Sequence, residues 1–204
     1  VPKNGSISGA AAQLDIATQG IVELGPYTYH PTAPITIDSN KLGRLKGSGS
    51  MNQVTRIQGD LLASGDSIVI LDDGVLEDVK IDCSNSVVAN GLKITGDTSF
   101  VKNGVTVTGI AGSGGSNSVG LLFNGGSQCV VDVVLEEGTG AAGTDILLKI
   151  LTGSTRNIIR ANMSQISAKS YQLDAGSSYN LLDCIVNTAG TDGGTANTIR
   201  SVVY

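Results

Sequence analysis

A chain of 204 residues with 40% hydrophobic content, 28 glycines and only 4 prolines is long enough for one substantial core and rich in tight-turn chemistry, so a single domain over 1–204 is expected. Aromatic content of 3% without tryptophan makes that core aliphatic and leaves few rings on which sugars or bases could stack. A net charge of −5 without a Lys/Arg cluster argues against nucleic acid and anionic membrane surfaces. No apolar run approaches the roughly 20 residues that cross a bilayer, so no membrane insertion is expected.

The chain begins at Val1 without an initiator methionine or a signal peptide, which reads as a processed or excised piece. Residues 1–19 are expected to cap the fold. Ala10 to Ala17 suits a short helix, with Ser8 as N-cap and Gly20 near its stop, and such a helix would cover the open end of a stack of strands. From residue 20 to 204 the pattern is strand and turn. Gly20-Ile21-Val22-Glu23-Leu24 reads as a strand, Gly25-Pro26-Tyr27-Thr28-Tyr29 as a turn, and Ile35-Thr36-Ile37-Asp38 as a second strand. Leu42 to Gly47, the turn Gly47-Ser48-Gly49-Ser50 and Thr55-Arg56-Ile57 follow.

Beyond Asp66 a unit recurs: a short apolar strand, a Gly/Ser/Asp turn, a second alternating strand and a longer variable loop. The first copy runs Ser67-Ile68-Val69-Ile70, turns through Asp72-Asp73-Gly74 and enters Val79-Lys80-Ile81-Asp82. From Ile70, Ile94, Phe123, Ile150 and Leu173 to the second-strand anchors Val79, Val105, Val133, Ala161 and Cys184, the separations are 9, 11, 10, 11 and 11 residues. Those second anchors lie 26, 28, 28 and 23 residues apart, within the roughly 20–50 residue period of solenoids, propellers and arrays. Period-two alternation of Val, Ile and Leu excludes a helical solenoid. A sandwich of hairpins would favour two-residue turns such as Asn-Gly, whereas here long connections recur on one side. The expected fold is all-β, a single-stack parallel β-helix whose coils bury their inward residues against one another. Asn187 to Ala196 is a loop, and Thr198 to Tyr204 a last strand without an evident cap.

The runs Gly20–Tyr29, Pro34-Ile35-Thr36-Ile37, Leu45-Lys46-Gly47-Ser48-Gly49 and Thr55-Arg56-Ile57 resemble the opening of the pectate-lyase-like β-helix superfamily, especially its members in bacteriophage tailspikes and tail fibres. Gly25-Pro26 stands in inverted order here, with Tyr27 directly after. The resemblance implies a right-handed coil, a place in a virion appendage or otherwise outside the cell, and a homotrimer of side-by-side β-helices. It also implies contact with other virion proteins and with a host-surface glycan.

Few residues carry candidate chemistry. In the column after the second anchor, Asp82 and Glu136 stand two coils apart, near 10 Å between backbones at about 4.8 Å per coil, marginally compatible with the carboxyl spacing of an inverting glycosidase. Asp78, Gly104, Asp132, Arg160 and Asp183 are expected to face outward in one column, a solvated acid–base ladder. His30, the only histidine, suits a loop hydrogen bond and cannot build a multi-histidine metal site. Cys83, Cys129 and Cys184 lack metal spacing and read as small buried hydrophobes with free thiols. Asn85 and Asn117, in the recurring Ser-Asn-Ser-Val, read as corner residues. There is no phosphate loop and no dinucleotide fingerprint, and no cofactor or metal is expected. The outward apolar residues Val134 and Ile185 are the expected interface candidates. Three functions fit: a structural virion appendage, a polysaccharide hydrolase or lyase on the same scaffold, or a non-catalytic glycan-binding module.

Overall fold

The computed structural model describes residues 20–39, 42–50, 53–84, 87–102, 104–110, 118–138, 145–164, 169–187 and 190–203. The expected cap over 1–19, with its helix at Ala10–Ala17, and the corner residues Asn85 and Asn117 lie outside them. The described chain is an all-β parallel solenoid without a helix. One wall is a seven-stranded sheet that stacks Ile35–Asp38, Ser67–Asp72, Asn90–Ile94, Val119–Phe123, Ile146–Ile150, Lys169–Leu173 and Thr191–Asp192, every pair parallel. The remaining walls form a thirteen-stranded sheet. Among the described residues its one antiparallel contact pairs Gly49–Ser50 with Gln53–Gln58, at the Gly/Ser turn expected there.

Alternation dictates the core. Ile37, Leu71, Ile94, Phe123, Ile150 and Leu173 lie over one another in register and are fully or almost fully buried. The second-strand anchors Val79, Val105, Val133, Ala161 and Cys184 are buried likewise. In the first copy the inward residue is Leu71, not the expected Ile70, which sits half-buried opposite Lys93. The reason is local: Ile68 and Val69 are both wholly buried, so the alternation restarts one residue late. Where Ile68 stands, the next two coils carry Gly91 and Gly120. A Cβ on either would meet Val107 Cγ1 or Ile110 Cδ1 at 2.4 Å, so these glycines make room for neighbouring core side chains.

The second wall changes shape along the stack. In early coils it is broken in two: Val75–Glu77 and Val79–Asp82 are separated by Asp78 (φ 52°), and Phe100–Lys102 and Thr106–Ile110 flank Gly104 (φ 69°). The next strand, Val130–Glu137, bridges the break, pairing with Phe100–Lys102 through its first half and with Thr106–Ile110 through its second. Ile158–Ser164, Leu181–Val186 and Thr198–Val203 continue it as unbroken strands.

The corner leading into these long strands is held by stacked asparagines. Asn157 and Asn180 are buried, and each follows a non-glycine residue in the left-handed region, Arg156 (φ 59°) and Tyr179 (φ 57°). Asn157 Oδ1 accepts the Cys129 N–H at 2.9 Å, while its Nδ2 donates to Gly126 O (2.9 Å) and Asn180 Oδ1 (3.0 Å). Asn180 repeats the arrangement one coil on, donating to Ser154 O (3.1 Å) and Asn197 Oδ1 (3.1 Å) and accepting the Asn157 N–H (3.1 Å). Each amide thereby satisfies backbone groups that the corner would otherwise leave unpaired.

Asn157→Ala would strand the Cys129 N–H and the Gly126 carbonyl inside the corner. At about 1–3 kcal/mol for each unsatisfied buried group, the expected loss is roughly 2–6 kcal/mol, read as a lower urea midpoint at unchanged slope. Asn162→Ala, on an exposed position of the same strand, should stay within about 0.5 kcal/mol.

Candidate functional site

Outward side chains of the thirteen-stranded sheet form straight columns, because parallel in-register coils place each residue over its counterpart in the next. The inward column Val22, Leu45, Leu76, Val101, Val131, Ile159, Leu182 and Ile199 is followed, one residue later in every coil, by a charge. The order is Glu23, Lys46, Glu77, Lys102, Asp132, Arg160, Asp183, Arg200, alternating in sign at each step. Of these, Asp132, Arg160 and Asp183 belong to the column expected from the sequence. Asp78 and Gly104, expected in the same column, instead occupy the left-handed corner, and Glu77 and Lys102 take the places directly after the inward anchors. The legible signal was the apolar-then-charged pair closing the first half of each wall.

Among these charges, Glu77 is buried and accepts a hydrogen bond from Arg44 Nη2. Asp132, Arg160, Asp183 and Arg200 are all exposed, and among the described residues no ion pair within 4.0 Å joins them to one another. Flanking them are two further outward columns. One is Val130, Ile158, Leu181 and Thr198; the other is Val134, Asn162, Ile185 and Val202. Val134 is half-buried, whereas Ile185 is 36% and Val202 58% exposed. Val134 and Ile185 thus share one column, separated by Asn162.

Asp82 and Glu136 are set in different surroundings. Asp82 is only 6% exposed; its Oδ1 accepts the Ser84 N–H at 2.9 Å and its Oδ2 lies 3.6 Å from Arg56 Nη1. Glu136 is half-buried opposite Ser164. Between the two acids the ladder shifts: Val107 faces Leu135 and Ile110 faces Glu137, so Thr108 and Gly109 (φ 71°) oppose Glu136 alone. This β-bulge bends the strand. A Cβ on Gly109 would fall 2.2 Å from Ser84 Oγ and 3.1 Å from Asp82 Oδ1, so the Asp82 carboxylate packs against the bulge and orders the Ser84 turn.

His30 Nδ1 lies 2.7 Å from Asp60 Oδ1, which gives the loop hydrogen bond expected of it a partner the sequence did not identify. Tyr27 and Tyr29 nearby meet edge to face at 6.5 Å between centroids. An open depression of about 350 Å³ is lined by Glu23, Leu24, Lys46, Gly47, Ser48 and Asp78, at the start of the charged column. Among the described residues no group of three or more His, Cys, Asp or Glu side chains is arranged to hold a metal ion.

The three cysteines are buried, and none of them forms a disulfide. Burial, with Asp82 beside it, pushes the Cys83 thiol up to about 12. Burial likewise pushes Cys129 and Cys184 up to about 11, with hydrogen bonding at Ser99 pulling Cys129 the other way and Asp183 adding to the rise at Cys184. These thiols are protonated at neutral pH and are poor nucleophiles. Because their folded-state values lie above the unfolded ones, they favour the fold fully below the unfolded thiol value near 9, and that contribution is lost as pH rises toward 11–12. Urea midpoints should therefore fall across that window, with a smaller fall in Cys83→Ala. A thiol reagent at pH near 8 should label none of the three in the folded chain and all of them in urea.

No family model, no curated protein and no solved structure matches the chain.

Proposed function

We propose that the chain is a structural component, the stiff body of a virion appendage of the tailspike or tail-fibre type, with a right-handed coil as its resemblance to the pectate-lyase-like superfamily implies. The observation that carries the reading is where the polar side chains are spent. The asparagine stack satisfies corner backbone groups from coil to coil, the charged column alternates in sign along the wall, and Asp82 serves a turn. Such a stack joins neighbouring coils on every side, which resists local opening and proteolysis. The variable loops between coils would then carry contacts with other virion proteins or with a host-surface glycan.

The test is to incubate the full chain with a panel of bacterial surface polysaccharides and to assay both new reducing ends and unsaturated products. The expected result is no product above buffer, together with survival of the folded body in a trypsin digest. Product release that disappears in Asp82→Asn or Glu136→Gln would overturn the structural reading in favour of a depolymerase. Both substitutions keep the side-chain shape while removing the carboxylate.

A further inference from the structure

The corner ahead of the long strands carries a second feature on its outside. Gln128, Arg156, Tyr179 and Ala196 all hold left-handed backbone, at φ 58°, 59°, 57° and 55°, and they stand one above another. The N–H groups of Gln128, Arg156 and Tyr179 donate to the carbonyls of Thr155, Ser178 and Thr195 in the following coil, and those three residues are themselves bridged in parallel. The asparagine stack dictates this backbone but not these side chains. Glycine or asparagine would adopt it with the least strain, yet the first three of these coils place a long amide, a guanidinium and a phenol there. All three are exposed, Tyr179 at 64%, the most of any large apolar side chain among the described residues. We propose that this ridge binds a linear acidic polysaccharide lying along the solenoid axis, with its sugars seated one to a coil.

Shape, spacing and chemistry select that ligand. The ridge lies on an outer corner, which suits an extended polymer and not a small molecule that needs an enclosing pocket. Its side chains recur about every 4.8 Å, nearly the length of one pyranose unit in an extended glycan. An extended peptide, at about 3.3 Å per residue with side chains on one side at every second residue, falls out of step with the ridge. The Tyr179 phenol offers a flat apolar face with a polar tip, on which a sugar ring can stack. Gln128 and the flanking hydroxyls of Ser127, Thr155 and Ser178 supply donors and acceptors for sugar hydroxyls, and Thr155 Oγ1 donates to Ser127 Oγ at 3.2 Å, which keeps that pair in line. Arg156 sets the charge. Among the described residues no carboxylate lies within 4.0 Å of it, so its planar fork is open to the carboxylate of an acidic sugar. Nucleic acid fits poorly, because the ridge holds one cation and none to meet successive phosphates.

The site rests on the reading of the chain as a non-catalytic body that meets a surface glycan. Its place differs from that of the variable loops, since it lies on turns of near-constant length, 10, 11 and 11 residues between anchors. Three sugars on an exposed ridge give weak binding at one position, and a long polymer gains by presenting many overlapping positions to it.

Electrophoresis of the full chain through native gels tests the site. The gels contain alginate, hyaluronate or polysialate, with the carboxyl-reduced form of each as neutral counterpart and poly-glutamate as an acidic chain without sugars. At least one acidic polysaccharide should retard the chain, and more strongly than its reduced form. Tyr179→Asn should weaken that retardation at least tenfold, and Arg156→Asn should bring the acidic polymer and its reduced form level; Asn162→Ala should change neither. Asparagine tolerates the left-handed backbone, so both ridge variants should melt no earlier than the unaltered chain, which separates lost contact from lost fold. Should one melt early, the amide NMR signals of Gln128, Arg156 and Tyr179 in the unaltered chain, which should shift with added polymer, decide the matter without a variant. No retardation by any of the three polymers, equal retardation by poly-glutamate, or retardation unchanged in both ridge variants would overturn the ridge and leave the stiff-body reading standing. New reducing ends or unsaturated products from a polymer held through the ridge would instead overturn the structural reading and leave the site in place.

Discussion

Everything in this fold follows from one constraint: parallel strands in register set each residue directly above its counterpart in the next coil, about 4.8 Å away. Whatever is good for one position must be good next to itself. Apolar side chains meet that demand easily, which is why Ile37, Leu71, Ile94, Phe123, Ile150 and Leu173 form one continuous column. Asparagine meets it too, because its amide offers a donor and an acceptor at once and can hydrogen-bond another asparagine above and below. A charge does not meet it, since like charges directly opposite repel. The alternation of sign from Glu23 to Arg200 is the answer this sequence gives.

The period-two alternation and the repeat spacing made the solenoid and its second-strand anchors legible, because burial acts on every coil alike and leaves the same mark each time. What stayed hidden depended on the local backbone. The inward residue of the first copy moved to Leu71 because Ile68 and Val69 are buried together, and strict alternation has no way to show a restart. The corner at Asp78 hid Glu77 from the charged column. The asparagine stack leaves only a faint mark in the sequence, the pattern shared by Gly153-Ser154-Thr155-Arg156-Asn157 and Gly176-Ser177-Ser178-Tyr179-Asn180. The residue before each asparagine, Arg156 or Tyr179, is not one expected in a left-handed turn, and only the stacked amides make its conformation worth adopting.

The same economy bears on chemistry. A side chain that holds its own coil to the next is poorly placed to act on a substrate, because moving it costs the contacts it makes. Asp82, tied to the Ser84 N–H and close to Arg56, belongs to that class. Glu136 does not share its setting, since the bulge at Thr108 and Gly109 comes between them. The outer face of the long strands is different again: its charges lie exposed, and their order is their main information.

The alternating column also carries a rule about how such a chain can grow or shrink. Duplicating one coil, or losing one, would set acid on acid or base on base at the new junction, whereas a change of two coils leaves the sign pattern intact. Each exposed clash costs little by itself, but the penalty always points the same way. Lengthening or shortening of this wall is therefore favoured in pairs of coils, and the column acts as a parity check on the length of the solenoid.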